Sequence, residues 1–143
     1  MDSQRNEKDL EERNRLLRGY AKIGFEHLDF KRPLYGARAF DQKNVDRLAR
    51  VFELEGCWRL ELGHYITAVI DDGTLQQAMN LSGVSLEDMK DPTNLPWLTL
   101  PGNCQISCLY GIHRIAAGMQ ILLPGDRWWS VTLYNDGTYH PYK

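Results

Sequence analysis

Four consecutive residues, Gly111-Ile112-His113-Arg114, bring together a backbone able to turn sharply, an imidazole and a guanidinium. Gln105 to Tyr110 before them reads as a strand, and Ile112, Ile115, Ala116 and Met119 recur at the helical period. The strand is therefore expected to run straight into a helix at Gly111. The first N–H groups of such a helix have no partner within it, and its dipole favours negative charge at that end. Arg114 can add a two-pronged guanidinium contact, and His113 can donate a hydrogen bond that strengthens if a nearby phosphate protonates the ring. The chemistry is anion binding, with phosphate as the natural ligand. A plainer reading stands beside it: Gly111 only permits the turn, Arg114 pairs with Glu53 or Asp126, and His113 is an internally satisfied histidine.

The remaining reactive residues point less sharply. Cys57, Cys104 and Cys108 are odd in number and form no Cys-x-x-Cys pair, which argues against a disulfide framework or a thiol-rich zinc site. Cys104 and Cys108 lie too far apart along an extended chain to share one ion, leaving Cys108 with His113 as the alternative zinc pair. No metal site is assigned. Glu53 with Glu55, and Asp71 with Asp72, read as solvated carboxylates at a helix end and a turn rather than as acid/base pairs. Trp128 and Trp129 point to opposite faces of a regular strand, so at most one of them can line a pocket.

These groups need elements to hold them. Tyr20 to Phe30 includes a short strand, and Lys31-Arg32-Pro33-Leu34 leads through Gly36 into a turn. Asp41 caps a helix, with Phe40 and Val45 spaced as a hydrophobic staple. Val45, Leu48, Ala49 and Phe52 form its buried stripe, and Gly56 ends it. Tyr65 to Ile70 is a β-prone run expected to be a central strand. Thr74 and Gln77 match a capping box that opens a helix with Leu75, Ala78 and Met79 inward, closing at Ser82-Gly83. The proline-broken stretch Asp91 to Gly102 reads as an inserted loop anchored by Trp97 and Leu98. Trp128 to Tyr134 is a third core strand, followed by an Asn135-Asp136-Gly137 turn. The fold class is α/β (α+β), with a small mixed sheet packed by helices.

The chain has 143 residues, 25% of them charged, and a net charge of −2, as befits one globular domain over residues 19–143 behind a charged lead-in at residues 1–18. The lead-in reads as frayed or mobile, or as a helix that binds a protein partner. Net charge gives no broad attraction for a nucleic-acid backbone. No apolar run is long enough to span a bilayer and the start is too polar for a signal peptide, so an intracellular protein, nuclear or cytoplasmic, is expected.

The order of Arg32-Pro33-Leu34, the helix from Asp41, the strand ending near Ile70, and Cys108 through Ala117 resembles the ParB/sulfiredoxin superfamily over roughly residues 20 to 135. The resemblance implies a compact ParB/sulfiredoxin-like domain whose junction holds nucleotide phosphates through Gly111, His113 and Arg114. The run Phe52 to Leu60, with Leu109 to Ala117 and Pro124 to Trp129, is similar to a fungal family of ParB-like pattern found partly in mobile-element cargo. In sulfiredoxins the following helix offers lysine, serine and threonine to the nucleotide. The matching positions here are Asn44, Arg47 and Val51, and Arg47 or Lys43 can reach a phosphate.

Departures from the superfamily narrow the activity. Ile112 stands where sulfiredoxins carry their reactive cysteine, which removes that chemistry. Leu109-Tyr110 stands where the free-serine kinases of the superfamily carry an acidic residue, so no general base is named. ParB proteins bind CTP and switch between open and closed dimers. The implied ligand is CTP or ATP with Mg²⁺ and a homo-oligomer is one expectation. A hydrolysing enzyme or kinase, and a non-catalytic nuclear or DNA-associated module with a vestigial pocket, are the alternatives.

Overall fold

The computed structural model describes residues 11, 14–30 and 40–135. Most of the charged lead-in, the Arg32-Pro33-Leu34 turn and the Asp136-Gly137 turn lie outside the described residues. Five strands form one mixed sheet in the order β1-β5-β3-β4-β2. They are β1 (Leu17–Gly24), β2 (Leu28–Asp29), β3 (Ile66–Ile70), β4 (Ile106–Cys108) and β5 (Trp128–Asn135). β1 runs antiparallel to β5 and β3 antiparallel to β4, whereas β3 with β5 and β2 with β4 are parallel. The expected central run around Ile66–Ile70 is indeed the middle strand. Leu17 and Arg18 belong to β1, with Leu17 opposite Tyr134 and Arg18 paired to Asp72 at 2.9 Å.

Alternation along the strands sets the core. Ala21 and Ile23 of β1, Ile66 and Ala68 of β3, and Trp129, Val131 and Leu133 of β5 are all fully buried. Pairing puts Ile23 opposite Trp129 and Ile66 opposite Val131, so they share a face of the sheet. Trp129 meets Phe25 and Phe52 on that face, with ring centroids 6.5 and 5.9 Å away.

The helices α1 (Gln42–Glu55), α2 (Asp72–Ser82) and α3 (Ile112–Ile121) pack on this frame, and residues 14–16, just before β1, are also helical. α1 has the expected stripe, with Val45, Ala49 and Phe52 buried and Leu48 packed against the core. Asp41 accepts from the Lys43 N–H and Gly56 ends the helix. α2 corrects the Thr74 cap. Asp71 is the N-cap, and its carboxylate takes both the Thr74 N–H at 2.9 Å and the Thr74 hydroxyl at 2.6 Å, placing Thr74 inside the first turn. α3 keeps Ile115 of the expected set buried and Ala116 packed against the core, adds Ala117 and Gly118, and leaves Met119 exposed. The Phe25 ring lies 2.9 Å from where a Gly118 Cβ would be, so glycine is the residue that lets this face approach the sheet.

The proline-rich stretch is a strap on the edge of β1 more than a free insertion. Lys22 N–H donates to Pro96 O and Leu98 N–H to Lys22 O. Leu95, Leu98 and Leu100 are buried, whereas Trp97 is half-exposed and meets Trp128 edge-on at 5.1 Å. The leucines, with Trp97 as cover, make the anchor.

Candidate functional site: a helix start at the end of β4

β4 gives way to α3 within three residues, and Gly111 makes the turn. Its φ of +105° is left-handed, and a Cβ there would lie 2.7 Å from Ile66 Cγ1. Glycine is required twice, by the backbone angle and by the packing of α3 against β3. Leu109 N–H donates to Thr67 O, which extends the β3–β4 pairing to the edge of the turn. No side chain caps α3, and among the described residues the N–H groups of Ile112, His113 and Arg114 have no acceptor.

Arg114 lies beside this open end. Its Nη1 donates to the His64 carbonyl at 3.2 Å and the guanidinium sits 5.8 Å from the centre of the Tyr110 ring. Neither carboxylate considered for it is its partner: Asp126 pairs with Arg59 at 2.7 Å, and no ion pair to Glu53 is formed. Half-burial pulls the Arg114 pKa below its ordinary value because no anion offsets the lost hydration, while Tyr110 nearby acts the other way. The His64 carbonyl also accepts from Trp129 Nε1 at 2.8 Å, so it does not depend on Arg114.

His113 is joined to the neighbouring helix. Its Nε2 accepts from the Asp41 backbone N–H at 3.0 Å, and the Phe40 ring stacks on it at 5.5 Å with 13° between planes. That nitrogen is therefore unprotonated in this arrangement, and donation to an anion is left to Nδ1. Phe40 is half-exposed and lays its face on the imidazole. Further along, Gln120 Nε2 donates to Asp46 Oδ1. The two bonds set α1 and α3 side by side in the same direction, with their starts together.

The α1 residues are less convergent. Asn44 Oδ1 accepts from Arg47 Nε and Nη2 at 3.2 and 2.7 Å, and Lys43 is exposed. No hydrogen bond or ion pair joins Lys43, Asn44 or Arg47 to Gly111–Arg114 among the described residues. The carboxylate at this end of α1 is engaged, since Asp41 Oδ1 accepts from the Lys43 N–H at 3.0 Å. Sequence reasoning missed Phe40, His64 and Tyr110. Tyr110 has a polar tip, its hydroxyl 2.8 Å from Thr67 Oγ1.

All three cysteines are free, and burial pushes the Cys108 thiol up to about 12. Among the described residues no three His, Cys, Asp or Glu gather as they would around a metal ion, and no helix is long and apolar enough to cross a membrane. The arrangement is suited to holding an anion through backbone N–H groups, one desolvated guanidinium and one imidazole nitrogen.

None of the curated proteins and none of the solved structures matches the chain. Residues 17–143 match the family described as the N-terminal domain of a protein of unknown function, DUF3723, and the chain belongs to that family.

Proposed function

We propose that this domain binds a nucleotide, CTP or ATP with Mg²⁺, through phosphates held at the start of α3, and that its fold is of the ParB/sulfiredoxin type. One observation carries the reading: Arg114 is half-buried without a carboxylate partner beside a helix start that has no cap. A cation kept from water and left uncompensated favours an anionic ligand, and free N–H groups with a helix dipole at the same place favour it further. Gly111 makes the turn that presents those N–H groups, His113 offers Nδ1, and Arg47, Lys43 and Asn44 are the outer residues of the site. Both nucleotides are intracellular, which agrees with a nuclear or cytoplasmic setting.

Binding ranks above turnover. Asp41, the acidic residue whose backbone N–H bonds His113, has its carboxylate engaged as a helix cap, so it is not assigned as a general base. Turnover would require Mg²⁺-dependent release of phosphate or diphosphate from ATP or CTP.

The test is a titration of the ¹⁵N-labelled protein with CTP, ATP and inorganic diphosphate, followed by amide NMR. The amides of Ile112, His113 and Arg114 are expected to shift first and furthest. Shifts confined to other regions, or none at all, would refute the assignment.

A further inference from the structure

Between the end of α1 and the start of β3, large apolar side chains stand in water. Leu54, Trp58, Leu60 and Leu62 are 79, 45, 59 and 59% exposed. Isolated exposed leucines are ordinary on a protein surface, whereas several large apolar side chains exposed along one short stretch are a feature that an interaction surface would explain. The stretch is ordered by two successive turns, with Glu61 N–H donating to Trp58 O at 3.0 Å and His64 N–H to Glu61 O at 2.8 Å.

Trp58 is the fixed point. Its φ of +51° is left-handed, a conformation costly for a bulky side chain and kept where the surroundings enforce it. Its Nε1 donates to Glu55 O at 2.9 Å and its ring meets His64 edge-on at 5.6 Å. An exposed indole already held in place loses little freedom on binding, and tryptophan is prominent among the side chains that carry binding energy.

The surrounding charge selects the partner. Glu53, Glu55 and Glu61 are exposed, and none forms an ion pair among the described residues. Arg59, the cation of this stretch, is engaged by Asp126 at 2.7 Å and lies 3.7 Å from the centre of the Trp128 ring. Arg50, one turn before Leu54, is an exposed cation set against the three glutamates. The apolar surface therefore has an acidic rim. A second copy would bring the same glutamates against themselves in a symmetric pairing, which argues against self-association here.

We propose that Leu54, Trp58, Leu60 and Leu62 form a docking surface for a short amphipathic segment of a separate protein, with leucine-like residues on one face and lysine or arginine at its edges. Its apolar face covers the exposed side chains and its cations meet Glu53, Glu55 and Glu61. This surface is independent of the nucleotide assignment.

The probe is a labelled helical peptide of roughly 16 residues with Leu at i, i+3, i+4 and i+7 and Lys elsewhere, beside a counterpart with Glu for Lys. Fluorescence anisotropy near physiological ionic strength reads the affinity. The parent is expected to bind the Lys peptide at least about tenfold more tightly than the Glu peptide. The double variant Leu60→Ser/Leu62→Ser is expected to lose at least about tenfold in affinity, and Glu53→Lys/Glu55→Lys/Glu61→Lys to reverse the preference. The substituted side chains are exposed, and matching circular dichroism and melting curves verify that both variants fold. Absent binding, or Lys-peptide binding unchanged in the serine variant, overturns the proposal. So does a parent dimer in sedimentation equilibrium that the serine variant dissolves, since a second copy would then own the surface.

Discussion

α1 and α2 begin differently from α3, although all three face the same physical demand. Each helix start leaves backbone N–H groups without intrahelical acceptors. At α1 and α2 an aspartate answers locally: Asp41 accepts from Lys43 N–H, and Asp71 from the N–H and hydroxyl of Thr74. At α3 the equivalent residue is Gly111, which has no side chain to offer and no room for one because Ile66 is too close. A carboxylate at a helix start satisfies the donors and repels a second anion, whereas the bare start leaves both donors and dipole available. A capped start contributes stability, and an open one beside an uncompensated Arg114 is suited to binding.

Placing a side chain at the bare start should have the largest effect. Gly111→Ala combines left-handed strain with overpacking against Ile66, and a loss of about 2–4 kcal/mol in unfolding free energy is expected by urea denaturation. A loss under about 0.5 kcal/mol would show that packing does not hold glycine there.

Removing a cap comes next. Asp71→Ala is expected to cost about 1–2 kcal/mol near neutral pH. The bonds from Thr74 hold the Asp71 carboxyl below its ordinary value. Its contribution is thus complete above the unfolded carboxyl pKa of about 3.9 and is lost as pH falls through the lower folded value. Unfolding curves of parent and variant should converge under acid; a gap that persists there would remove the carboxylate from the explanation.

Arg114→Met should change stability by less than about 1 kcal/mol, because the methionine keeps an apolar stem in place and Trp129 still satisfies the His64 carbonyl. A large loss by thermal denaturation would make Arg114 a structural residue and weaken its role as an anion ligand.

The smallest effect concerns the strand that leads into the bare start. With its pKa pushed up to about 12 by burial, Cys108 should be silent to a thiol reagent at pH 8 in the native protein, while the partly buried Cys57 and Cys104 react. Labelling of all three cysteines before unfolding would mean that β4 opens readily.

Where side chains face side chains, the sequence was readable. Val45, Ala49 and Phe52 set the face of α1, and the β-prone run at Ile66–Ile70 became the middle strand. The junction at Gly111 was legible because a strand pattern met a helix pattern at a glycine. The inner face of α3 was legible only in part, at Ile115 and Ala116, since it approaches the sheet at Gly118, where an absent side chain admits Phe25 and hydrophobicity carries no signal. The α2 cap was misread because Asp71 and Thr74 are both capping residues one turn apart. At the site, Arg114 and His113 bind backbone groups of His64 and Asp41, which leave no trace in residue type.

Thermal unfolding of the parent and Arg114→Met proteins with CTP, ATP and inorganic diphosphate, with and without Mg²⁺, tests the central claim most directly. A ligand at a hundredfold excess over Kd stabilises the native state by about 2.7 kcal/mol. Anion binding at the start of α3 predicts such a rise for the parent with at least one of these ligands and its loss in the variant. An equal rise in both proteins, or no rise with any ligand, would contradict it.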